Sequence, residues 1–398
     1  MMHVEKLGEK NIVTDKSKHV VDKRIDMLVI AGEHSGDAHA AACIRDLKAL
    51  HPNLNICAIG GQSLQQAGAH LLLDITRWSV VGLIEVLKYY RQFKALMDWI
   101  VRWIEVYRPR IVCLVDFPGF NLRLAKKLFE KKLSCKGGGN VKVCAYIAPQ
   151  IWAWRRNRRF LMAKFLDRLA VIFPFEKAYF GDTNLDVCYV GHPLIGEKLP
   201  FAYDLDGELL LLPGSRSAAV KRIFPILLNA FQFLKLKYEK LRGIVVYPDA
   251  SIKAILEEKI AKDHLQSAVR LCDHGNLLHP LEICGSLMSS GTASLKIALA
   301  GIPGVIVYRA HPITYALGKC IVRVPFLSMA NILLKEQAYP EFLQSSALQA
   351  FKVAQCMQQF LDDPEATRQQ FLSYSEKLHQ ILLQTEDISL TRWLLQDL

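Results

Sequence analysis

The feature that most restricts the fold of this chain is a repeated alternation of short apolar runs with helix-length amphipathic segments. Segments such as 37–50, 121–133 and 157–167 separate the runs of the first half. These runs are MLVIA (27–31), NICAIG (55–60), IVCLVD (111–116), VKVCAYIA (141–148), RLAVIF (168–173) and DVCYVG (186–191). Near-continuous apolar strands that alternate with helices are typical of a parallel sheet with helices on both faces.

The alternation restarts after a cluster of Gly, Pro and Asp at 196–207, and it predicts a second α/β domain. The later strand-like runs are 208–215, 243–248, 268–272, 284–291 and 304–309. Residues 341–398 look mainly helical, and the polar first 24 residues have no apolar core of a signal peptide.

We therefore predict that the chain has four parts. We also predict a cleft between the carboxyl edges of two sheets, because sheets of this kind bind ligands just outside their carboxyl edges. The parts are a mobile leader (1–24), an amino-terminal α/β domain (25–200), a second α/β domain (201–360) and carboxyl-terminal helices that pack back on the first domain (361–398).

Charge and cysteine content limit the classes of function. The net charge is +12, which is the sum of +16 on residues 1–360 and −4 on residues 361–398. This excess favours an anionic partner, namely nucleic acid, a phosphorylated substrate or a lipid surface, although simple solubility explains it equally well. Ten cysteines without a C-x-x-C pair argue for reduced thiols in the cytosol and against a zinc ribbon. No apolar run approaches the length of a membrane span.

Two motifs follow strands of the first domain. Gly32, Ser35, Gly36 and Asp37 lie in a tight turn before a helix, whose free N–H groups suit an anion or a sugar hydroxyl. Ser35 or Asp37 could instead only cap that helix. Asp116 ends a later strand before a Pro-Gly turn and is well placed for general base chemistry. The alternative is a helix cap, for which Asn121 is better placed.

A third motif places two tryptophans beside four arginines. It comprises Gln150, Trp152, Trp154, Arg155, Arg156, Arg158 and Arg159. Arginine binds phosphate with two hydrogen bonds, and tryptophan suits the boundary between water and an apolar phase. A platform for single-stranded nucleic acid would look similar, and so would an exposed helix start beside packed tryptophans.

Two small-residue turns follow strands of the second domain. The first carries Gly214, Ser215 and Arg216, and the second carries Ser290, Gly291 and Thr292. Each precedes a helix, so its backbone N–H groups suit a diphosphate. Together the two turns predict a nucleoside diphosphate site, and the missing Walker lysine gives no reason to expect ATP hydrolysis.

Segment 78–108 interleaves aromatic residues with cations, which suits a helix at a membrane surface or a crossover helix packed on the sheet. Its first part holds the apolar residues that we expect to be exposed, Val80, Val81, Leu83 and Ile84. Arg156, Arg158 and Arg159 are expected to face anionic lipid beside them.

With these motifs in order, the chain resembles the lipid-A-disaccharide synthases, which are inverting glycosyltransferases of GT-B fold. The resemblance covers roughly residues 26–390. It rests on GEHSGD (32–37), VVGLIEVL (80–87), VDFPGFN (115–121), YIAPQIWAWR (146–155), FPFEK (173–177), GHPL (191–194), LLPGSR (211–216), SSGTASL (289–295) and SMANILL (328–334).

The resemblance implies transfer of 2,3-diacylglucosamine from its UDP conjugate to 2,3-diacylglucosamine 1-phosphate, which gives a β-1,6 disaccharide and UDP. It implies that the protein works at the inner face of a Gram-negative cytoplasmic membrane without a metal or other cofactor, and it leaves an oligomer open. We expect no nucleic-acid partner, because the basic residues lie around a cleft and no RNA- or DNA-binding motif appears. Asp116, Glu33 and Asn331 become the candidate catalytic residues. Lys296 and the turn residues of the second domain would bind UDP. The turn residues of the first domain would bind the acceptor, together with Asn121, Gln150, Trp152 and Arg155.

The chain departs from the pattern of this family at three positions. Similar proteins usually carry Glu where this chain has Lys296 and often carry Glu where it has Ala219, and Gly196 replaces an Asp. A cation cannot accept hydrogen bonds from ribose hydroxyls. The alternative function is therefore a non-catalytic or weakly active relative that binds acylated sugar or membrane.

Overall fold

The structure is a computed structural model that describes residues 24–76, 83–273, 275, 279–310, 324–344, 347–383 and 387–398, without the side chains of 83–90, 347 and 348. The predicted leader, residues 1–24, lies outside this part of the chain except for its last residue. The chain divides into two compact units. Unit 1 comprises Met1–Pro193 and Thr385–Leu398, and unit 2 comprises Leu194–Gln384.

Unit 1 contains a seven-stranded sheet in the order β3-β2-β1-β4-β5-β6-β7, and every described strand pair is parallel. Its strands are β1 (Met27–Ala31), β2 (Ile56–Gly60), β3 (His70–Asp74), β4 (Ile111–Val115), β5 (Lys142–Tyr146), β6 (Arg168–Val171) and β7 (Asp186–Tyr189). Its helices are α1 (His34–Leu50), α2 (Gln62–Gln66), α3 (Leu83–Tyr107), α4 (Pro118–Glu130) and α5 (Arg158–Phe165). Short 3₁₀ helices cover Cys135–Gly137 and Pro174–Phe180.

Unit 2 contains a six-stranded parallel sheet in the order β10-β9-β8-β11-β12-β13. Its strands are β8 (Phe201–Leu212), β9 (Gly243–Tyr247), β10 (Val269–Asp273), β11 (Leu281–Met288), β12 (Gly304–Tyr308) and β13 (Glu341–Leu343). Its helices are α6 (Ser217–Lys237), α7 (Ala250–Lys262), α8 (Thr292–Leu299), α9 (Met329–Leu334), α10 (Ala347–Asp362) and α11 (Pro364–Leu382).

Each unit has its own core between the sheet and its helices. In unit 1 the crossover helix α3 buries Leu96, Ile100 and Ile104 against the sheet. This part of the aromatic segment 78–108 is therefore a packed crossover helix, as one of the two sequence interpretations expected. In unit 2, α6 buries Phe224 and Phe231.

The sequence prediction failed at the sheet edges and at the start of β8. It omitted β3 and β13, which are edge strands whose residues are mostly half-buried and whose apolar runs are only three and two residues long. It also took residues 201–207 for a linker, although they form the first half of β8. The composition of FAYDLDG resembles a loop, but pairing with β11 makes it a strand.

The last helix, α12 (Leu390–Leu395), belongs to unit 1, whereas α10 and α11 belong to unit 2. Trp393 is fully buried, and the guanidinium of Arg168 lies 4.7 Å from the centroid of its ring. The carboxylate of Asp397 accepts hydrogen bonds from Arg168 and Lys142. These contacts attach the carboxyl terminus to β5 and β6. No helix among the described residues is long and apolar enough to cross a membrane.

Candidate active site

The order of the strands creates a crevice in unit 1 between β1 and β4, where the chain connections reverse direction. The loops after these two strands carry Glu33 and Asp116. A Cβ atom on Gly32 would lie 2.4 Å from the ring of Phe117, and one on Gly36 would lie 3.6 Å from Cβ of Asp116. The fold thus brings the two predicted motifs into direct contact, and only glycine fits at position 32.

Asp116 lies in a constrained turn. Both Asp116 and Phe117 adopt left-handed backbone angles, with φ of 47° and 48°. The N–H of Asp116 donates to the carbonyl of Tyr146, and the side-chain amide of Asn121 donates to the carbonyl of Asp116 at 2.6 Å. Non-glycine residues hold such angles only where their surroundings fix them, and this is common at active sites. The side chain of Asp116 is half-buried.

Asn121 does not have the role predicted for it. The amino-terminal cap of α4 is Phe117, and Asn121 lies inside the helix, buried, with its amide turned back to the carbonyls of Val115 and Asp116. We correct both the cap and the acceptor contact, because a buried amide that holds the turn is not presented to a ligand. Asn121 fixes the position of Asp116.

Asp37 also binds backbone groups. It is 2% exposed, and its two oxygens accept hydrogen bonds from the N–H groups of Gly61 and Ser63 at 2.6 and 3.0 Å. Asp37 therefore holds the start of α2, and its predicted contact with the acceptor does not fit this burial. Glu33 and Ser35 are half-buried at the start of α1, where Glu33 is the cap residue but its side chain makes no capping hydrogen bond.

The loop between β5 and α5, residues 147–157, divides its motif residues between the interior and the surface. Trp152 is buried, and its indole N–H donates to Oε1 of Glu176 at 3.2 Å. Gln150 and Arg155 are exposed. Because only 8% of Trp152 is exposed, the structure corrects its expected contact with the acceptor, and of the acceptor residues predicted in this loop Gln150 and Arg155 are exposed.

Sequence analysis missed two buried titratable groups of unit 1. Glu176 is 2% exposed, and burial raises the pKa of its carboxyl group to about 7. His192 packs against the ring of Phe173, and burial, together with His39, lowers its pKa to about 3. For Glu176 the sequence did contain a signal, namely an acidic residue three positions after the residue that begins a helix. Such a residue accepts a hydrogen bond from the backbone at the helix start, and Glu176 accepts one from the N–H of Phe173.

Four arginines precede or begin α5, and they differ in exposure. Arg159 is buried and forms a two-bond ion pair with Asp182, so its expected contact with lipid is wrong. Arg155 and Arg156 are exposed, and Arg158 is half-buried. The guanidinium of Arg155 lies 4.7 Å from the ring centroid of the exposed Trp154. Val80 and Val81 lie outside the described residues, as do the side chains of Leu83 and Ile84.

Unit 2 has a second crevice, between β8 and β11, and the two small-residue turns follow these strands. Gly214 adopts φ of +105°, which favours glycine, and a Cβ atom there would lie 3.3 Å from Oγ of Ser289. The two predicted turns therefore touch. Arg216, which is exposed, is the cap residue of α6, and Gly291 is that of α8. Two helix amino termini thus begin at the same crevice.

Asn331 is a structural residue in this fold. It has no exposed surface, and its amide donates to the carbonyl of Tyr339 at 2.7 Å and to the carboxylate of Glu341 at 2.8 Å. Its carbonyl oxygen accepts from the N–H of Tyr339. A side chain with these partners does not reach a substrate, so the expectation of a catalytic role is corrected.

Lys296 lies one turn inside α8 and has an acidic partner. Its ammonium is 3.1 Å from Oε2 of Glu197, and the two side chains are 23% and 41% exposed. The sequence did not predict Glu197, which is 99 positions away. The ammonium is thus directed to a carboxylate of the same unit.

A family model of lipid-A-disaccharide synthetase matches residues 27–390 of this chain. The chain belongs to the lipid-A-disaccharide synthase family. It is 34% identical over 360 residues to lipid-A-disaccharide synthase 1 of Legionella pneumophila subsp. pneumophila, which covers 86% of this chain and 89% of that protein. The synthase of Geobacter metallireducens is 33% identical over 372 residues, with 90% and 93% coverage.

Solved structures with low sequence identity confirm the GT-B fold expected for a lipid-A-disaccharide synthase. UDP-GlcNAc 2-epimerase of Neisseria meningitidis, bound to UDP-GlcNAc, aligns with a TM-score of 0.54 at 12% identity and covers 91% of this chain and 100% of its own. The glycotransferase of kitacinnamycin aligns with a TM-score of 0.55 at 9% identity, with 94% and 98% coverage. The fold and the family together make the chain a glycosyltransferase of lipid A biosynthesis.

Proposed function

We propose that Asp116 is the general base of a sugar transfer from UDP-2,3-diacylglucosamine to 2,3-diacylglucosamine 1-phosphate. The 6-hydroxyl of the acceptor attacks the anomeric carbon, Asp116 takes the hydroxyl proton, and UDP leaves from the opposite face with inversion. The observation that carries this proposal is the turn at Asp116, which is fixed by Tyr146 and Asn121 beside the loop of Glu33. A half-buried carboxylate in a fixed position suits proton transfer.

Glu33 and the exposed loop residues complete the acceptor site in this proposal. Glu33 lies at the start of α1, next to the turn that contacts Asp116, and can accept a hydrogen bond from a sugar hydroxyl. The exposed Gln150 and Arg155 follow β5, the neighbour of β4. Arg155 provides a cation for the 1-phosphate.

Unit 2 binds the leaving diphosphate in this proposal. The amino termini of α6 and α8 supply backbone N–H groups and the positive ends of two helix dipoles. Arg216 adds a full positive charge at the same crevice and stabilises the charge that develops on UDP as the bond breaks.

An assay with both substrates in detergent tests the reaction. Release of UDP and formation of the β-1,6 disaccharide, each dependent on both substrates, are the expected results. Binding of the acylated sugars without UDP release would instead support the non-catalytic relative. The presence of Asp116, Glu33 and Arg216 at the two crevices favours turnover.

The second part of the proposal is that the protein attaches to the anionic surface at the inner face of the cytoplasmic membrane. The loop before α5 and its first turns expose a mixed apolar and cationic surface, which we call the α5 surface. It consists of Trp154, Phe160 and Leu161, which are 41%, 48% and 50% exposed, with Arg155 and Arg156. Apolar side chains insert between lipids, and each nearby arginine adds about 1 kcal/mol that salt screens.

Flotation with liposomes that contain anionic lipid tests the α5 surface. Phe160→Ser combined with Leu161→Ser should reduce binding about tenfold, and added salt should weaken the binding of the wild type. Leu50→Ser, which removes an apolar side chain that is 62% exposed on α1 of the same unit, is the matched control. Binding that is insensitive to both salt and the paired substitution would contradict this attachment.

A further inference from the structure

Glu176 links two loops at the carboxyl edge of the sheet in unit 1. Its Oε2 accepts hydrogen bonds from the N–H groups of Ile172 and Phe173 at 3.3 and 3.1 Å, directly after β6. Its Oε1 accepts from the indole N–H of Trp152, in the loop after β5. One buried carboxyl group thus receives three donors from two neighbouring loops.

Aromatic packing strengthens this link. The ring of Trp152 meets that of Phe175 edge to face at 5.4 Å, and Phe175 stacks on Phe173 at 5.8 Å. Such pairs contribute beyond the area that they bury. Trp152 is therefore fixed in position and in ring orientation, because both its indole N–H and its ring have partners.

The loop that Trp152 fixes is the one with exposed candidate acceptor residues. Its first residue, Ile147, donates to Ala170 of β6, and the preceding residue, Tyr146, accepts from the N–H of Asp116. Gln150 and Arg155 lie on either side of Trp152 in sequence and are exposed. The loop is thus tied to the turn of Asp116 at its start and to Glu176 near its middle.

We propose that Glu176 is a positioning residue for the acceptor: by holding Trp152 it fixes Gln150 and Arg155 at the distance from Asp116 that acceptor binding requires. This inference rests on the proposed function. Glu176 itself touches no substrate, since its carboxyl group is buried and bound to three donors within the fold. Its substitution should therefore affect binding of the acceptor and leave binding of the donor unchanged.

Glu176→Gln tests the link with little change in shape. The amide keeps one acceptor oxygen and replaces the other by an NH₂ group, which cannot accept a hydrogen bond. Depending on its orientation, the variant loses either the bonds from Ile172 and Phe173 or the bond from Trp152. We expect the dissociation constant of the acceptor, titrated in detergent, to rise about tenfold, and that of UDP to stay within about twofold. Glu130→Gln, which changes an exposed carboxylate of the same unit, is the control and should alter neither constant.

Trp152→Phe breaks the same link from the other side and keeps an aromatic ring. If Glu176 acts through Trp152, the double variant should bind the acceptor about as well as the weaker single variant. Full additivity of the two effects would overturn the inference, and so would unchanged acceptor affinity in either folded single variant.

The wild type separates this inference from the proposed function. Failure of the wild type to bind the acceptor or to release UDP would reject the proposed function and the inference that rests on it. A wild type that binds and turns over, with Glu176→Gln and Trp152→Phe unchanged in acceptor affinity, would reject only the inference. Circular dichroism shows which variants are folded, and a folded Trp152→Phe decides the matter if Glu176→Gln does not fold.

Discussion

The two crevices of the molecule occupy equivalent places in their sheets, but different kinds of groups form them. In unit 1 the crevice between β1 and β4 is formed with side chains, namely the carboxylate of Asp116 in a left-handed turn and the ring of Phe117. In unit 2 the crevice between β8 and β11 is formed with glycine, serine and two helix amino termini. The same topology therefore supports two kinds of site.

In the proposed function, this difference corresponds to two kinds of chemistry. Moving a proton requires an ionisable side chain whose position is fixed, and neighbouring side chains and backbone groups fix it in unit 1. Holding a diphosphate requires several N–H groups close to the ligand, which small residues at a helix start permit in unit 2. Substitutions in the two crevices should therefore affect different steps.

The largest effect is expected for Asp116→Asn in unit 1. Asparagine also tolerates left-handed backbone angles, so the turn should persist while the base is lost. Turnover should fall about 10²–10⁴-fold, and affinity for UDP should stay within about twofold. Steady-state kinetics and calorimetry measure the two quantities, with Asp46→Asn, an exposed carboxylate on α1, as the control. Turnover at the wild-type rate would remove Asp116 from the reaction.

Arg216→Ala in unit 2 should differ from Asp116→Asn in its effect on UDP affinity. Loss of the cation at the start of α6 should weaken UDP binding about 10–100-fold and should also slow turnover. Lys240→Ala removes an exposed cation beyond the other end of α6 and should leave UDP binding unchanged. Calorimetry that finds the same UDP affinity in Arg216→Ala as in the wild type would place the donor elsewhere.

The buried groups of unit 1 should make its stability depend on pH in two opposite ways. The pKa of Glu176 rises from 4.5 to about 7, so its folded form binds a proton more readily, and stability falls as pH rises from about 4.5 to about 7. The pKa of His192 falls to about 3, so stability falls as pH drops below its ordinary value of 6.5. The two effects oppose each other at mildly acidic pH.

Glu176→Gln separates these effects. The broken hydrogen bonds lower the stability of the variant by the same amount at every pH. Beyond that constant loss, its free energy of unfolding relative to that of the wild type should rise by on the order of 1–3 kcal/mol between about pH 4.5 and about pH 7, because it lacks the group whose ionisation is costly. Thermal unfolding of both proteins at several pH values measures the change, and His192→Gln should flatten the acid side of the profile. A stability difference that is independent of pH would show that Glu176 does not titrate in this range.

The smallest effect is expected at Lys296. Its ammonium is paired with Glu197, and partly exposed pairs contribute about 0–1 kcal/mol. Lys296→Met and Glu197→Gln should each change UDP affinity less than about threefold. A loss above about tenfold in Lys296→Met alone would instead place the ammonium at the diphosphate. Improved UDP-sugar affinity in Lys296→Glu would indicate that a carboxylate at this position holds the ribose.

The sequence by itself determined the two-sheet architecture, most of the strands and the loops that form the two crevices. These features depend on local periodicity and on turn residues directly after strands, which a linear pattern records. The turns with Glu33, Asp116, Gly214 and Ser290 all lie where parallel strands end, because the carboxyl ends of strands in one sheet share one edge.

Only the tertiary structure decided which motif residues face a ligand. Asp37 binds N–H groups 24 and 26 positions away, Glu176 binds Trp152 from 24 positions away, and Lys296 finds Glu197 from 99 positions away. A polar residue that belongs to a buried network and one that contacts substrate have the same letter in the sequence. What separates them is the set of partners that the packing of distant segments provides, since a buried polar group must be bonded inside the fold.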